Sequence, residues 1–225
     1  MNEGMIRVAP LLPSRQVLER MGVNWGDLLD RCGLHNDLFA HHDNPIAFGD
    51  MCRFVRLGAS ISRCEHFGLL LAHEAGVSTL GSVGISALRN TQVGSVLAAM
   101  IRNLHLHDQG AAPFLKVDGG NACVGYVVAG YHACGVAGVL DAAVGIILRI
   151  LASLCGPNWQ PLEVCFARRP PRDVAPYRDF FRVPLNFDAP YTGVVFRERD
   201  LHKRVQLARP ELAPPDSAIA VDDQT

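Results

Sequence analysis

The residues able to do chemistry sit in a few short strings. Asn103-Leu-His-Leu-His-Asp108 carries two imidazoles, His105 and His107. Residues two apart on a helix point to different faces, so this pair cannot chelate a metal unless the helix has ended. A zinc site also needs three or four ligands and partners that orient them. The string reads instead as histidines at a helix C-terminus, where the dipole favours positive charge. His41-His42-Asp43 and Cys32-x-x-His35 match no zinc spacing and read as solvated loop. The sequence contains no G-x-S-x-G elbow, no G-x-x-x-x-G-K-[ST] phosphate loop and no H-E-x-x-H pair. Asp141 stands alone in an apolar stretch, as a helix-start residue or a buried polar contact. The expectation is a chain with no catalytic residue, no metal ligand and no enzymatic activity.

Tyr126, Tyr131 and His132 fall within and just after a predicted strand, beside a long apolar segment. Polar-tipped aromatics on an apolar wall orient a small molecule in a pocket. An ordinary core uses the same residues where a hydroxyl reaches a carbonyl. Together with His107 they form the candidate ligand-binding set. The walls carry few charges, and unpaired buried charge is costly. An apolar or weakly polar ligand is therefore favoured over a sugar phosphate, and no cofactor is expected.

The elements that must position these residues follow from periodicity and punctuation. Val17, Leu18 and Met21 mark a short helix ending at Gly22, and a second runs from Asn24 to Gly33. Apolar residues at helical spacing predict helices over Phe48–Ile61 and Glu65–Ala75. Gly76 to Gly84 reads as a glycine-rich join between two lobes. Thr91 is the expected N-cap of a helix whose buried face is Val93, Val96, Leu97, Met100, Ile101 and Leu104. Phe114–Asp118 and Ala122–Ala129 flank Gly119-Gly120-Asn121, a hairpin signal. Leu140–Leu154 is apolar on nearly every side, as a central helix against a sheet would be, and Gly156-Pro157 stops it. Strands at Glu163–Ala167, Pro184–Phe187 and Gly193–Phe196 and a helix at Asp173–Phe181 complete the chain. The fold class is α+β: a helical lobe over residues 1–75, then a helix-β-β-helix-β-helix-β-β lobe over 76–212, then a flexible tail over 213–225.

Composition narrows the function classes. The chain has 225 residues, of which 49% are hydrophobic and 19% charged, enough to bury a core without staples. The formal net charge of −1 supplies no field for nucleic acid. The densest basic run, Arg168-Arg169-Pro170-Pro171-Arg172, is short and reads as a solvated turn. No signal peptide is evident at the start. The apolar region from Ala122 to Leu154 is interrupted by His132, Asp141 and Arg149, and reads as buried core instead of a membrane span. Seven cysteines, an odd number without a C-x-x-C pair, point to thiols in a reducing cytoplasm.

Several segments taken together resemble the N-terminal, arabinose-binding-type domain of AraC/XylS transcriptional regulators. They are Phe67-Gly-Leu-Leu-Leu-Ala72, Gly81-Ser-Val-Gly84 through Thr91-Gln-Val-Gly-Ser-Val-Leu97, and Glu163-Val-Cys-Phe-Ala167 with Pro170-Pro171. Tyr177-Arg-Asp-Phe-Phe181, Asn186-Phe187, Val195 to Leu201 and Arg209-Pro-Glu-Leu212 continue the series. The resemblance implies a domain that senses a small effector and dimerises, followed in the family by a helix-turn-helix module that binds DNA. The sequence ends at Thr225, before two such units would fit. The expectation is thus a cytoplasmic effector-binding and dimerisation domain without its own DNA-binding module. It would form a homodimer or pair with a full-length regulator, and contact neither DNA nor membrane. A fainter resemblance, over Asn103-Leu-His-Leu-His107, Phe114 to Tyr126, the long apolar helix and Leu162-Glu-Val164, is to the haem-binding nitric-oxide sensor fold. It implies the alternative of a haem or gas sensor using His105 or His107, although Tyr126-Val-Val-Ala-Gly130 lacks that family's Ser and Arg.

Overall fold

The structure is a computed structural model and describes residues 4–73, 75–128 and 135–206. A short strand, β1 (Met5–Arg7), leads into α1 (Ser14–Arg20) and α2 (Trp25–Cys32). The Asn24 side chain caps α2 by accepting from the Gly26 and Asp27 N–H groups. Strand β2 (Pro45–Ala47) returns to pair antiparallel with β1, Ile6 opposite Ile46. It runs directly into α3 (Phe48–Ser62), and α4 (Phe67–Leu71) follows. Neither β1 nor β2 is expected from the sequence, and α4 is shorter than the predicted Glu65–Ala75.

The glycine-rich join is itself helical. A 3-10 turn over Val77–Leu80 leads into α5 (Gly81–Ala87), whose Val83 and Ala87 are buried. Helix α6 (Val93–Asn103) begins one residue after Gln92, and Thr91 does not cap it. Its first N–H instead finds the Lys203 carbonyl at 3.0 Å, while the Thr91 carbonyl accepts from Val205. Backbone from the 203–205 segment supplies what a capping side chain would have given.

β3 (Ala111–Asp118) and β4 (Asn121–Val128) form the predicted hairpin. Gly119 and Gly120 at φ 57° and 78° supply the two left-handed residues that match a tight turn to strand twist. After α7 (Val136–Cys155) come β5 (Glu163–Cys165), α8 (Ala175–Phe181), β6 (Leu185–Asn186) and β7 (Thr192–Arg197). The five strands take the order β3-β4-β7-β5-β6, antiparallel except for β5 with β6. The architecture is mixed α+β.

Helix α7 explains why its sequence is apolar all round. One side joins a core with Val124, Phe166, Val194 and Phe196 of the sheet region. Val139, near its start, belongs to a second core built from Leu18, Leu28, Phe48, Phe54 and Phe67. At the crossing of α4 and α7, a Cβ on Gly68 would lie 1.9 Å from the Gly138 carbonyl oxygen, so only glycine permits the approach. By length and composition α7 alone among the described helices would also cross a membrane, but it is the shared core helix here.

Candidate functional site

A cavity of about 100 Å³ lies between α6, α7 and β4. Its walls follow from helical spacing. Leu97, Met100, Ile101 and Leu104 line it from α6 and the turn after it, and Ala143, Ile146, Ile147 and Ile150 line it from α7. Both sets step by three and four, which puts them on one helical face. The polar side chains in the lining are His107, Asp108 and Tyr126. A neighbouring hollow of about 40 Å³ shares Tyr126 and Ile146 as walls and is also lined by Met51 and Val139. His107 also borders a second, more polar hollow of about 220 Å³, edged by Arg7, His105, Leu106 and Gln109.

Backbone pairing fixes the polar end. The Arg7 N–H donates to the His107 carbonyl at 2.9 Å, and the Gln109 N–H donates to the Met5 carbonyl at 2.8 Å. Ile6 thereby forms a bridge with Asp108, so β1 clamps the segment that carries the site. The Tyr126 hydroxyl, delivered by β4, donates to the Asp108 carboxylate, whose other oxygen accepts the Gly110 N–H at 2.8 Å. His107 is only 6% exposed, and its Nε2 has no hydrogen-bond partner. Buried polar atoms almost always have one.

The electrostatics follow from burial. Desolvation, with the nearby Arg7 guanidinium adding to it, lowers the His107 pKa to about 4. The imidazole is neutral at pH 7, contrary to the positive helix-end histidine that the sequence suggests. Burial raises the Asp108 carboxyl, opposed by the Tyr126 hydroxyl and the Gly110 and Ala111 N–H groups. Burial and the Asp108 charge together push Tyr126 well above the ordinary phenol range, so it remains the donor.

The structure thus brings together His107 and Tyr126 from the predicted set and adds Asp108, while Tyr131 and His132 lie outside the described residues. Asp108 was legible only as the residue following His107. The β1 clamp was not legible, since three residues carry no period. His105 is exposed, with Nδ1 facing the Arg102 carbonyl at 3.1 Å. His41, His42 and Asp43 place ligand atoms within 4.8 Å of one another, a feature their spacing did not suggest; both histidines are exposed and stack at 4.4 Å.

A second polar group is structural. Asp141 in α7 is buried and accepts from Arg168 Nη2 at 2.9 Å and from the Tyr177 hydroxyl at 2.6 Å. The Arg168 guanidinium sits over the Phe166, Tyr177 and Phe187 rings at 5.3 to 5.7 Å. Arg168 is therefore a core tie between α7, the end of β5 and α8, and not part of a solvated turn. The six described cysteines are buried and form no disulfide among themselves, and desolvation pushes the Cys123 and Cys155 thiols to about 12.

Residues 22–205 match the family model of the arabinose-binding N-terminal domain of AraC transcription regulators. The chain belongs to this family. Among solved structures it is similar to the transcriptional regulator CdpR from Pseudomonas aeruginosa, with a TM-score of 0.62 and 14% identity. That match covers 91% of this chain and 59% of the CdpR chain, and at this identity it speaks for the fold. No curated protein sequence gives a significant match.

Proposed function

We propose that this domain is the effector-sensing part of a transcription regulator, and that its effector binds in the crevice between α6, α7 and β4. The observation that supports this best is the cavity itself, whose wall is apolar apart from His107, Asp108 and Tyr126. His107 and Tyr126 contact the ligand in this reading, with Tyr131 and His132, a few residues past β4, as further contacts. The role is binding and not catalysis, and the protein works in the cytoplasm.

An effector shifts a two-state domain only through different affinity for the two states. A ligand at His107 and Asp108 touches the segment held by β1 and the face of α6. The response is a change in self-association, as a homodimer or with a full-length regulator. DNA contact is not a task of this domain, whose Arg168 is already taken by Asp141. The test is a thermal-shift screen of small molecules, followed by sedimentation of the hits. A compound that raises the melting temperature and moves the monomer–dimer equilibrium supports the proposal. A chain that stays monomeric and is stabilised by nothing refutes it.

A further inference from the structure

We infer that the loop His41-His42-Asp43 binds a divalent transition-metal ion such as zinc or nickel, held by the two imidazoles and the carboxylate. This site is separate from the proposed effector cavity and does not depend on it.

The side chains converge. The three residues place ligand atoms within 4.8 Å of one another, and among the described residues no other three His, Cys, Asp or Glu side chains form such a group. Metal bonds of about 2.1 Å set ligand atoms roughly 3–4 Å apart. His42 Nε2 and Asp43 Oδ2 stand 3.4 Å apart, already at that spacing. The His41 and His42 rings stack at 4.4 Å with 27° between their planes. Rotation of these exposed imidazoles closes the remaining gap.

The loop beneath them is fixed. The His42 carbonyl accepts from the Ala9 N–H at 3.1 Å, and the Asn44 carbonyl accepts from the Val8 N–H at 2.9 Å. The Asn44 side-chain amide donates to the Leu38 carbonyl at 3.0 Å. A loop already held by its backbone loses little freedom when an ion binds. His41 Nδ1 accepts the Asp43 N–H at 3.2 Å, a long bond that an ion on either ring nitrogen displaces.

Charge selects the ion. The site has one carboxylate, and the Arg7 guanidinium donates to the Asp43 carbonyl at 2.5 Å, setting a positive charge beside it. The net pull on a bare cation is therefore small, and an ion that stays must gain from nitrogen coordination. Calcium and magnesium seek oxygen ligands, whereas zinc, nickel and copper accept imidazole. The six described cysteines are buried and do not compete. Because the loop is paired to Val8 and Ala9, and the Arg7 N–H holds the His107 carbonyl, a bound ion stiffens the segment that clamps the polar end of the cavity.

Calorimetric titration of the untagged chain, first stripped with a chelator, with zinc, nickel, magnesium and calcium chlorides tests this, repeated with H42A, D43N and H105A. None of the three substituted side chains is buried, and D43N keeps the backbone carbonyl that Arg7 holds. Zinc and nickel should saturate the wild type, and magnesium and calcium should not. H42A and D43N should each weaken zinc binding by at least about tenfold, the loss that even an outer partner of a metal ligand causes. H105A should leave it unchanged. Zinc binding that neither H42A nor D43N weakens, or that H105A weakens equally, overturns the site. So does a wild type that neither zinc nor nickel saturates. Calcium or magnesium binding as tightly as zinc overturns the choice of ion.

Discussion

Replacing His107 with leucine should flatten the acid side of the stability profile without destabilising the protein at neutral pH. In the folded chain, burial and Arg7 hold the His107 pKa at about 4, against an ordinary value of 6.5. Between those values the unfolded chain binds the extra proton. Stability is thus complete above about pH 6.5 and lost as pH falls toward 4. At about 1.4 kcal/mol for each pH unit, the full loss comes to about 3 kcal/mol. Asp108 works in the opposite sense, because its raised carboxyl takes up a proton in the folded state. It is present in both proteins, as are Arg7 and Asp43, so the difference between wild type and H107L isolates the imidazole. At pH 7 the substitution removes an unpartnered buried nitrogen, worth about 1–3 kcal/mol of desolvation. This offsets the altered packing, and H107L should be no less stable than wild type. Urea unfolding at a series of pH values from 7.5 to 4.5 supplies both comparisons. Parallel profiles for the two proteins, or a marked loss of stability in H107L at pH 7, would refute the reasoning.

Three further substitutions probe the frame around the site. D141A leaves the Arg168 guanidinium packed among Phe166, Tyr177 and Phe187 without its carboxylate, and should cost about 3 kcal/mol in urea unfolding at pH 7; a loss under 1 kcal/mol would show the tie to be incidental. G68A sets a methyl against the Gly138 backbone, which cannot turn aside as a side chain can, and should lower stability by about 3 kcal/mol. A G68A melting temperature within a degree of wild type would contradict the described crossing of α4 and α7. Y126F deprives the buried Asp108 of its hydroxyl partner, with an expected cost of about 2 kcal/mol at pH 7 that shrinks as the carboxyl is protonated at lower pH; a cost that grows on acidification would argue against the Tyr126–Asp108 pair.

What the sequence reveals depends on how local the cause is. The helix start near Asn24, the Gly119-Gly120 turn and the all-round apolar pattern of α7 each have causes within a few residues, and each is recovered. Thr91 misleads because the start of α6 is satisfied by Lys203, more than a hundred positions away. The same holds for the site. His107 and Tyr126 stand out by type and setting, but the partnership of Asp108 with Tyr126 arises only when β4 is folded against the segment pinned by β1. Arg168 looks like part of a basic surface run until Asp141, in another element, claims it. The sign of the His107 shift was out of reach for a similar reason. A helix end favours the imidazolium, and only tertiary burial beside Arg7 reverses that preference.

The central claim, that an effector docks against His107 in the crevice between α6, α7 and β4, is tested most directly by long-range ¹H–¹⁵N spectra of the histidine side chains during titration with a stabilising hit from the thermal-shift screen. The expected result is a His107 imidazole that is neutral at pH 7 and whose resonances move as the compound saturates, while those of His105 stay unchanged. Saturation that leaves the His107 resonances in place, or a His107 already protonated at pH 7, would contradict it.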